Sequence, residues 1–413
     1  MHEEVVLVLA VEAVPKEGVI WASGAGPGWL SALPPGSRCR VLRKPSSGRV
    51  EIDQTNRIAV IRLEGNTPAS ELAQFLRSHP GVRAAYAKPP AEPAGCWVCT
   101  GGTKPINHDW ATGLASGAGR GKVQVNDVEW GWNFSHQVLR NTNGRDIVGT
   151  TQSADEDLVA HGTAVASIVA ADTSLVGVAP AAIFKGVSVD SYAGVSEAIQ
   201  EAADDLDEGS VLLVETQIQH PVSGEFVPVE WFQEEFEAIL DATQRGVVVV
   251  EAAGNGGQDL TSSALDQPDP DFDHSWKNPF AASRRHNSGA ILVAASAANG
   301  QRGATTNYGS GVINCNAPEG LLAADATSGI SPGALDPDPN SGLVDSFEGT
   351  SAAAAVVAGI VAVVQGYRDH QGKPRLKPRE VRQLLQHHGW SCHSEIGNRP
   401  DLQKIIHELD QLP

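Results

Sequence analysis

Val247-Val-Val-Val-Glu-Ala-Ala-Gly-Asn255 is a short, nearly continuous apolar run that stops at a Gly-Asn pair. It follows directly on Val229 to Arg245, whose spacing predicts a helix. A strand without polar alternation must be covered on both faces, and such strands separated by helices belong to parallel sheets. The pattern repeats on either side. Strands are predicted at Val123 to Val125, Ala182 to Val189, Val211 to Glu215 and Ala290 to Ala295, with further helices at His161 to Ala170 and Ser191 to Asp207. Residues 105–390 are therefore expected to form an α/β domain with a doubly wound, mostly parallel sheet flanked by helices.

Upstream the pattern is different. Val5 to Val14, Arg57 to Leu63 and Val82 to Ala87 read as strands. Between the last two lies a helix with Thr67 as cap, Pro68 at its first position and Glu71 completing a near capping box. Leu72, Phe75 and Leu76 follow at helical spacing. Residues 1–92 thus form a small α+β module. Lys88-Pro-Pro-Ala-Glu-Pro93 begins an extended linker, 93–104, because three prolines disfavour regular structure. Residues 391–413 are read as a C-terminal tail.

The chain has 413 residues, enough for a large domain and a small companion. Thirty basic against 49 acidic side chains give a net charge of −19, a surface that repels nucleic acid and anionic lipid, so neither is expected as a partner. No apolar run reads as a membrane span. Val5 to Val11 follows two glutamates where a signal peptide carries basic residues, and reads as a strand. Five scattered cysteines suggest no disulfide framework, and a cytoplasmic setting is expected, with secretion the alternative.

Three segments carry chemistry. Val123-Gln-Val-Asn-Asp127 is a strand ending in an acid; His161-Gly-Thr-Ala-Val-Ala-Ser opens a helix with an imidazole; Phe347-Glu-Gly-Thr-Ser351 leads into an apolar helix. A serine hydroxyl needs a neighbouring imidazole to take its proton, and that imidazole needs a buried carboxylate to fix its tautomer. At a helix N-terminus, Ser351 lies where unsatisfied N–H groups and the positive dipole end face a reacting carbonyl. Gly349 allows close approach of a substrate backbone. In Glu251-Ala-Ala-Gly-Asn255, the Asn255 amide is placed to donate to a tetrahedral oxyanion beside the Ser351 N–H.

On these residues the chain resembles the subtilisin family: the order Asp…His…Asn…Ser, His161-Gly-Thr, Gly254-Asn255 and Gly349-Thr-Ser351 match that family's signatures. Gly177-Val-Ala-Pro180 and Asn307-Tyr-Gly-Ser310 support them, and the likeness spans about 120 to 370. The resemblance implies a serine endopeptidase with Asp127, His161 and Ser351 as catalytic triad and Asn255 in the oxyanion hole, acting on peptide or protein substrates. It also implies that residues 1–92 are an inhibitory propeptide of a zymogen, and that Val211 to Gln217 receives the substrate as an added strand, with Glu215, Thr216, Gln217 and Gly254 as substrate-binding residues. Glu215 and Glu251 near the first specificity pocket would favour a basic side chain. Two features depart from the family: Asp127 precedes Val128 and Glu129 instead of Ser or Thr and then Gly, and Ala352-Ala-Ala-Ala-Val-Val-Ala-Gly359 replaces Met-Ala-x-Pro-His-Val-Ala-Gly. Asp127-Val-Glu-Trp-Gly-Trp-Asn133 and Val229-Glu-Trp-Phe resemble a divergent bacterial branch.

Other readings stand beside these. The same fold could serve as a catalytically silent peptide-binding or regulatory protein, or as a processing protease dedicated to one partner. Asp266, Asp269, Asp271 and Asp273 offer oxygen ligands for calcium, but without EF-hand spacing a solvated loop is the expectation, and no cofactor is required. Cys96 and Cys99 read as two free thiols in a linker, since no second ligand pair accompanies them.

Overall fold

The computed structural model describes residues 4–10, 20–22, 33, 37–43, 56–63, 68–79, 81–88, 91–93, 106, 123–266, 276–284, 286–328 and 338–411. Two units are built by different rules. In the first, β1 (Glu4–Ala10), β2 (Ile20–Ala22), β3 (Arg38–Val41), β4 (Asn56–Arg62) and β5 (Val82–Lys88) form an antiparallel sheet in the order β2-β3-β4-β1-β5. Helix α1 (Ala69–Leu76) covers one face. Strand alternation divides β1: Val5, Leu7 and Leu9 pack with Leu72 and Leu76 of α1, while Val6 turns to the other face with Val60, Tyr86 and Ala193 of the larger domain. Pro68 stands at the cap of α1, and Thr67 lies outside the described residues.

β6 (Ala91–Pro93) is a correction to the linker reading. It pairs antiparallel with β11 (Thr216–Gln219) of the larger domain, Thr216 opposite Pro93 and Ile218 opposite Ala91. A proline is tolerated in such a short strand at a sheet edge.

The larger domain is built on β7 (Gln124–Glu129), β8 (Asn143–Val148), β9 (Ile183–Ser188), β10 (Val211–Val214), β13 (Val248–Ala252), β14 (Ile291–Ser296) and β15 (Cys315–Pro318), all parallel, in the order β15-β14-β13-β10-β7-β9-β8. β12 (Phe226–Pro228) pairs with β11 beside it. The doubly wound expectation holds, and period-two alternation explains why. Val125, Val211, Leu213, Val248 and Val250 face α2 (Glu156–Ala170) and α5 (Gly349–His370). Val128, Leu212, Val214 and Val249 face α3 (Val195–Asp204) and α4 (Gln233–Gln244). Both faces are apolar because both are covered.

Helix α5 is long and apolar enough to span a bilayer, contrary to the sequence reading, yet the qualifying stretch is wholly buried inside the domain. Small residues from Ala352 to Ala355 and Gly359 let it pass centrally beneath the sheet; a Cβ on Gly359 would lie 2.5 Å from Val178. The expected C-terminal tail instead ends in α7 (Leu402–Gln411), which follows α6 (Pro378–His387). Leu402, Ile405, Ile406 and Leu409 of α7 join the core at helical spacing.

Candidate active site

The site gathers where β7, β10 and β13 end, the usual place for function in an open parallel sheet. Ser351 is the third residue of α5, which begins at Gly349 with φ 78°, a left-handed conformation that only glycine adopts without strain. His161 does not open its helix: α2 starts at Glu156, and Asp155 caps it by accepting a hydrogen bond from the Asp157 N–H. His161 and Ser351 are brought together across 190 residues of chain, Nε2 lying 3.1 Å from Ser351 Oγ. The Phe347 ring stands beside the imidazole at 5.3 Å between centroids.

The carboxylate on the other side of the imidazole is Glu129, not Asp127. Glu129 Oε1 lies 2.6 Å from His161 Nδ1, off the direct line of an ideal hydrogen bond. Residues 127 and 129 share a face of β7 because side chains alternate along a strand, but they stand about 7 Å apart along it. Glu129, at the strand's end, reaches His161. Asp127, two residues deeper, accepts from Trp132 Nε1 at 2.9 Å. The Trp132 ring lies across Gly186 of β9, where a Cβ would sit 2.4 Å from the ring, so no other residue permits this packing. Asp127 thus anchors the tryptophan beneath the site. Burial, then the Glu129 charge, pushes the Asp127 carboxyl well above the usual range, and the Trp132 hydrogen bond only partly offsets this. The signal for Glu129 was present in Glu129-Trp-Gly131, which has a glycine two residues after its acid, as the family's acid-Ser/Thr-Gly pattern requires.

Asn255 follows Gly254 at the end of β13. Its Oδ1 accepts from the Thr350 N–H at 3.1 Å and from Thr350 Oγ1 at 3.2 Å. Thr350 Oγ1 in turn accepts from the Gly254 N–H, and Gln217 Oε1 accepts from the Asn255 N–H at 2.8 Å. The amide is therefore oriented by the residue preceding Ser351. Thr216 and Gln217 lie on β11 and are buried.

Neither glutamate suggested for basic specificity lines an open pocket. Glu215 is fully buried, and its carboxyl lies within 4.8 Å of the ligating atoms of Glu129 and His161. Glu251 points to the opposite face of the sheet, where its Oε1 accepts from the Glu230 N–H. Glu129, His161 and Glu215 could each offer a ligand to one metal ion. However, the Nδ1–Oε1 separation of 2.6 Å is far below the roughly 3.4 Å between two ligands on a tetrahedral zinc. The geometry is that of an acid holding an imidazole. Asp266 pairs with Arg284, while Asp269, Asp271, Asp273, Cys96 and Cys99 lie outside the described residues.

Comparison with known proteins shows the family and the fold. The subtilase family model matches residues 74–393, so the chain belongs to the subtilase family and is a subtilisin-like serine endopeptidase whose substrates are peptides or proteins. The fold is similar to that of the epidermin leader peptide processing serine protease EpiP from Staphylococcus aureus (TM-score 0.57, 18% identity, 86% of this chain and 92% of that one). It is similar also to fervidolysin from Fervidobacterium pennivorans (0.56, 18%, 100% and 61%) and to the protease domain of PatA (0.51, 21%, 71% and 97%). No curated protein matches the sequence.

Proposed function

We propose that the chain hydrolyses peptide bonds through an acyl-enzyme on Ser351, with His161 as general base and Glu129, in the place expected for Asp127, as the acid that orients it. The observation that carries this reading is the pair of close contacts Glu129 Oε1–His161 Nδ1, 2.6 Å, and His161 Nε2–Ser351 Oγ, 3.1 Å. Ser351 Oγ attacks the carbonyl carbon while Nε2 takes its proton, and Glu129 stabilises the imidazolium. The same proton then goes to the leaving amine. The developing oxyanion is met by the Ser351 N–H at the start of α5 and by Asn255, whose Oδ1 is committed to Thr350, making Nδ2 the edge that donates. Fluorophosphonate labelling tests the proposal: wild type should be labelled and Ser351→Ala should not. An unlabelled wild type would favour the catalytically silent alternative.

The N-terminal module is the second part of the proposal: an inhibitor held over its own catalytic domain. Arg40 pairs with Glu197 and Glu201 of α3 at 2.5 and 2.6 Å, and Arg43 with Asp204 at 2.6 Å. Tyr86 donates to Glu234 at 2.7 Å, and buried Lys88 pairs with Glu234 and Glu235 at the start of α4. β6 then leaves this dock and occupies the edge of β11, as an added strand would. Self-cleavage between Lys88 and Thr103 is expected. Sequencing the N-terminus of purified wild type should find a new end in that window, while Ser351→Ala stays full length.

A further inference from the structure

Glu215 is the one member of the site to which the mechanism above gives no task. It follows β10, whose register against β7 sets Leu213 opposite Asp127 and Val214 opposite Val128. One further step places Glu215 opposite Glu129, and alternation puts both on the face of Leu213, toward His161. A carboxyl oxygen of Glu215 lies within 4.8 Å of the nearest such oxygen of Glu129 and of a ring nitrogen of His161. Its side chain is fully buried, and neither carboxyl oxygen has a hydrogen-bond partner.

An ionised carboxylate accepts hydrogen bonds only, and one buried without donors is among the costliest groups a protein can hold. The charged or titratable groups facing Glu215 are Asp127 and Glu129 from β7 and His161 from α2; no Lys or Arg acts on it among the described residues. Burial, then Asp127, then Glu129, each push its carboxyl upward. Buried carboxyls this close raise one another's pKa, so a single charge among the three is favoured. A neutral carboxylic acid, by contrast, has an O–H to give, and the acceptor nearest in register is Glu129.

We infer that Glu215 is a positioning residue, a neutral carboxylic acid on the neighbouring strand that braces the Glu129 carboxylate and through it the His161 ring. With Asp127 and Glu215 neutral, the cluster carries one negative charge, which balances the imidazolium formed during acyl transfer. Glu215 touches no reacting atom. Its work is to keep Glu129 charged, single and in place.

The inference rests on the acyl-transfer reading, and one assay separates the two. The rate of inactivation of the full chain by a small fluorophosphonate is measured from pH 5 to 10 for wild type, Glu215→Ala and Glu215→Gln, with thermal melts to confirm folding. Glu215→Ala should lose about 10- to 100-fold in the maximal inactivation rate with little change in apparent affinity, since misplacing a catalytic base by an ångström costs that much. Glu215→Gln keeps a neutral donor of the same shape and should recover most of the loss. If wild type loses rate at alkaline pH as Glu215 ionises beside Glu129, Glu215→Gln should not show that loss. Wild-type rates and pH profile in a folded Glu215→Ala would overturn the inference, as would a folded Glu215→Gln as impaired as Glu215→Ala. Failure of wild type to react at all would instead remove the acyl-transfer reading.

Discussion

Two clusters of buried carboxyls lie on opposite faces of one sheet, and they are neutralised in different ways. On the α2/α5 face, Glu129 and Glu215 stand beside His161 of the same domain, with Asp127 deeper on β7 against Trp132. On the α3/α4 face, Glu230, Glu234, Glu235 and Glu251 are all buried, and the lysine that reaches Glu234 and Glu235 is Lys88 of the N-terminal module. Glu251 and Ala252 are adjacent, yet alternation sends one to each face. The first cluster is a permanent part of the site. The second includes a residue of the module, so buried acids line the candidate site on one face and meet the module on the other.

The largest effects should come from breaking the first cluster. Ser351→Ala and His161→Ala should each abolish nearly all turnover, and the double variant should lose little more, because the groups act as a unit. Glu129→Ala should cost on the order of 10⁴ in kcat, comparable to loss of the acid in other serine proteases. Asp127→Asn should cost far less, since its role is to hold Trp132. Equal losses at 127 and 129, measured by kcat on a peptide substrate, would erase the distinction drawn between them. Asn255→Ala comes next, with kcat lowered by about 10²–10³ and KM little changed, the size of loss that removal of one oxyanion donor produces in subtilisin.

Breaking the second cluster should leave the chemistry intact and loosen the dock. Lys88→Ala takes a buried cation away from Glu234 and Glu235, and removing one partner of a buried pair costs about 3–5 kcal/mol. In a Ser351→Ala background, which on the proposed self-cleavage stays full length, the module should then detach more readily, as limited proteolysis or hydrogen exchange over β1 and β5 would register. Protection unchanged from the parent would show that the ionic contacts do not hold the module.

Much of this was legible in the sequence. Continuous apolar strands announced the parallel sheet. Asn255 and Ser351 drew attention at the end and the start of an element, whereas His161, expected to open its helix, lies inside α2 and stood out only by its His-Gly-Thr neighbours. Glu129 escaped because a strand presents residues i and i+2 to the same side: Asp127 and Glu129 share one face of β7, and only the strand's end point, two residues beyond Asp127, separates them. α7 could have been read from Leu402, Ile405, Ile406 and Leu409. The carboxyl clusters could not, because Glu215 meets Glu129, and Lys88 meets Glu235, only through strand register and docking.

The smallest effect tests whether the second cluster is costly in itself. Burial raises the Glu230 carboxyl from 4.5 to about 7, against the opposing pull of the Ser288 hydrogen bond and the Arg382 charge. A carboxyl raised on folding binds its proton more tightly in the native state. Its contribution to stability is therefore greatest below pH 4.5, where both states are protonated, and falls as pH rises toward 7. A shift of this size corresponds to about 3 kcal/mol at most. Glu230→Gln removes the titration while retaining a polar group for Ser288. At pH 8 it should raise Tm by on the order of 5 °C, and near pH 4.5 the two proteins should melt together. Glu251 lies against Glu230 and is itself pushed upward by burial first and then by the Glu230 charge, so the same variant should ease its ionisation too. A Glu230→Gln protein no more stable than wild type at pH 8 would mean that Arg382 already offsets the charge. The cost of the second cluster would then rest on the acids that meet Lys88.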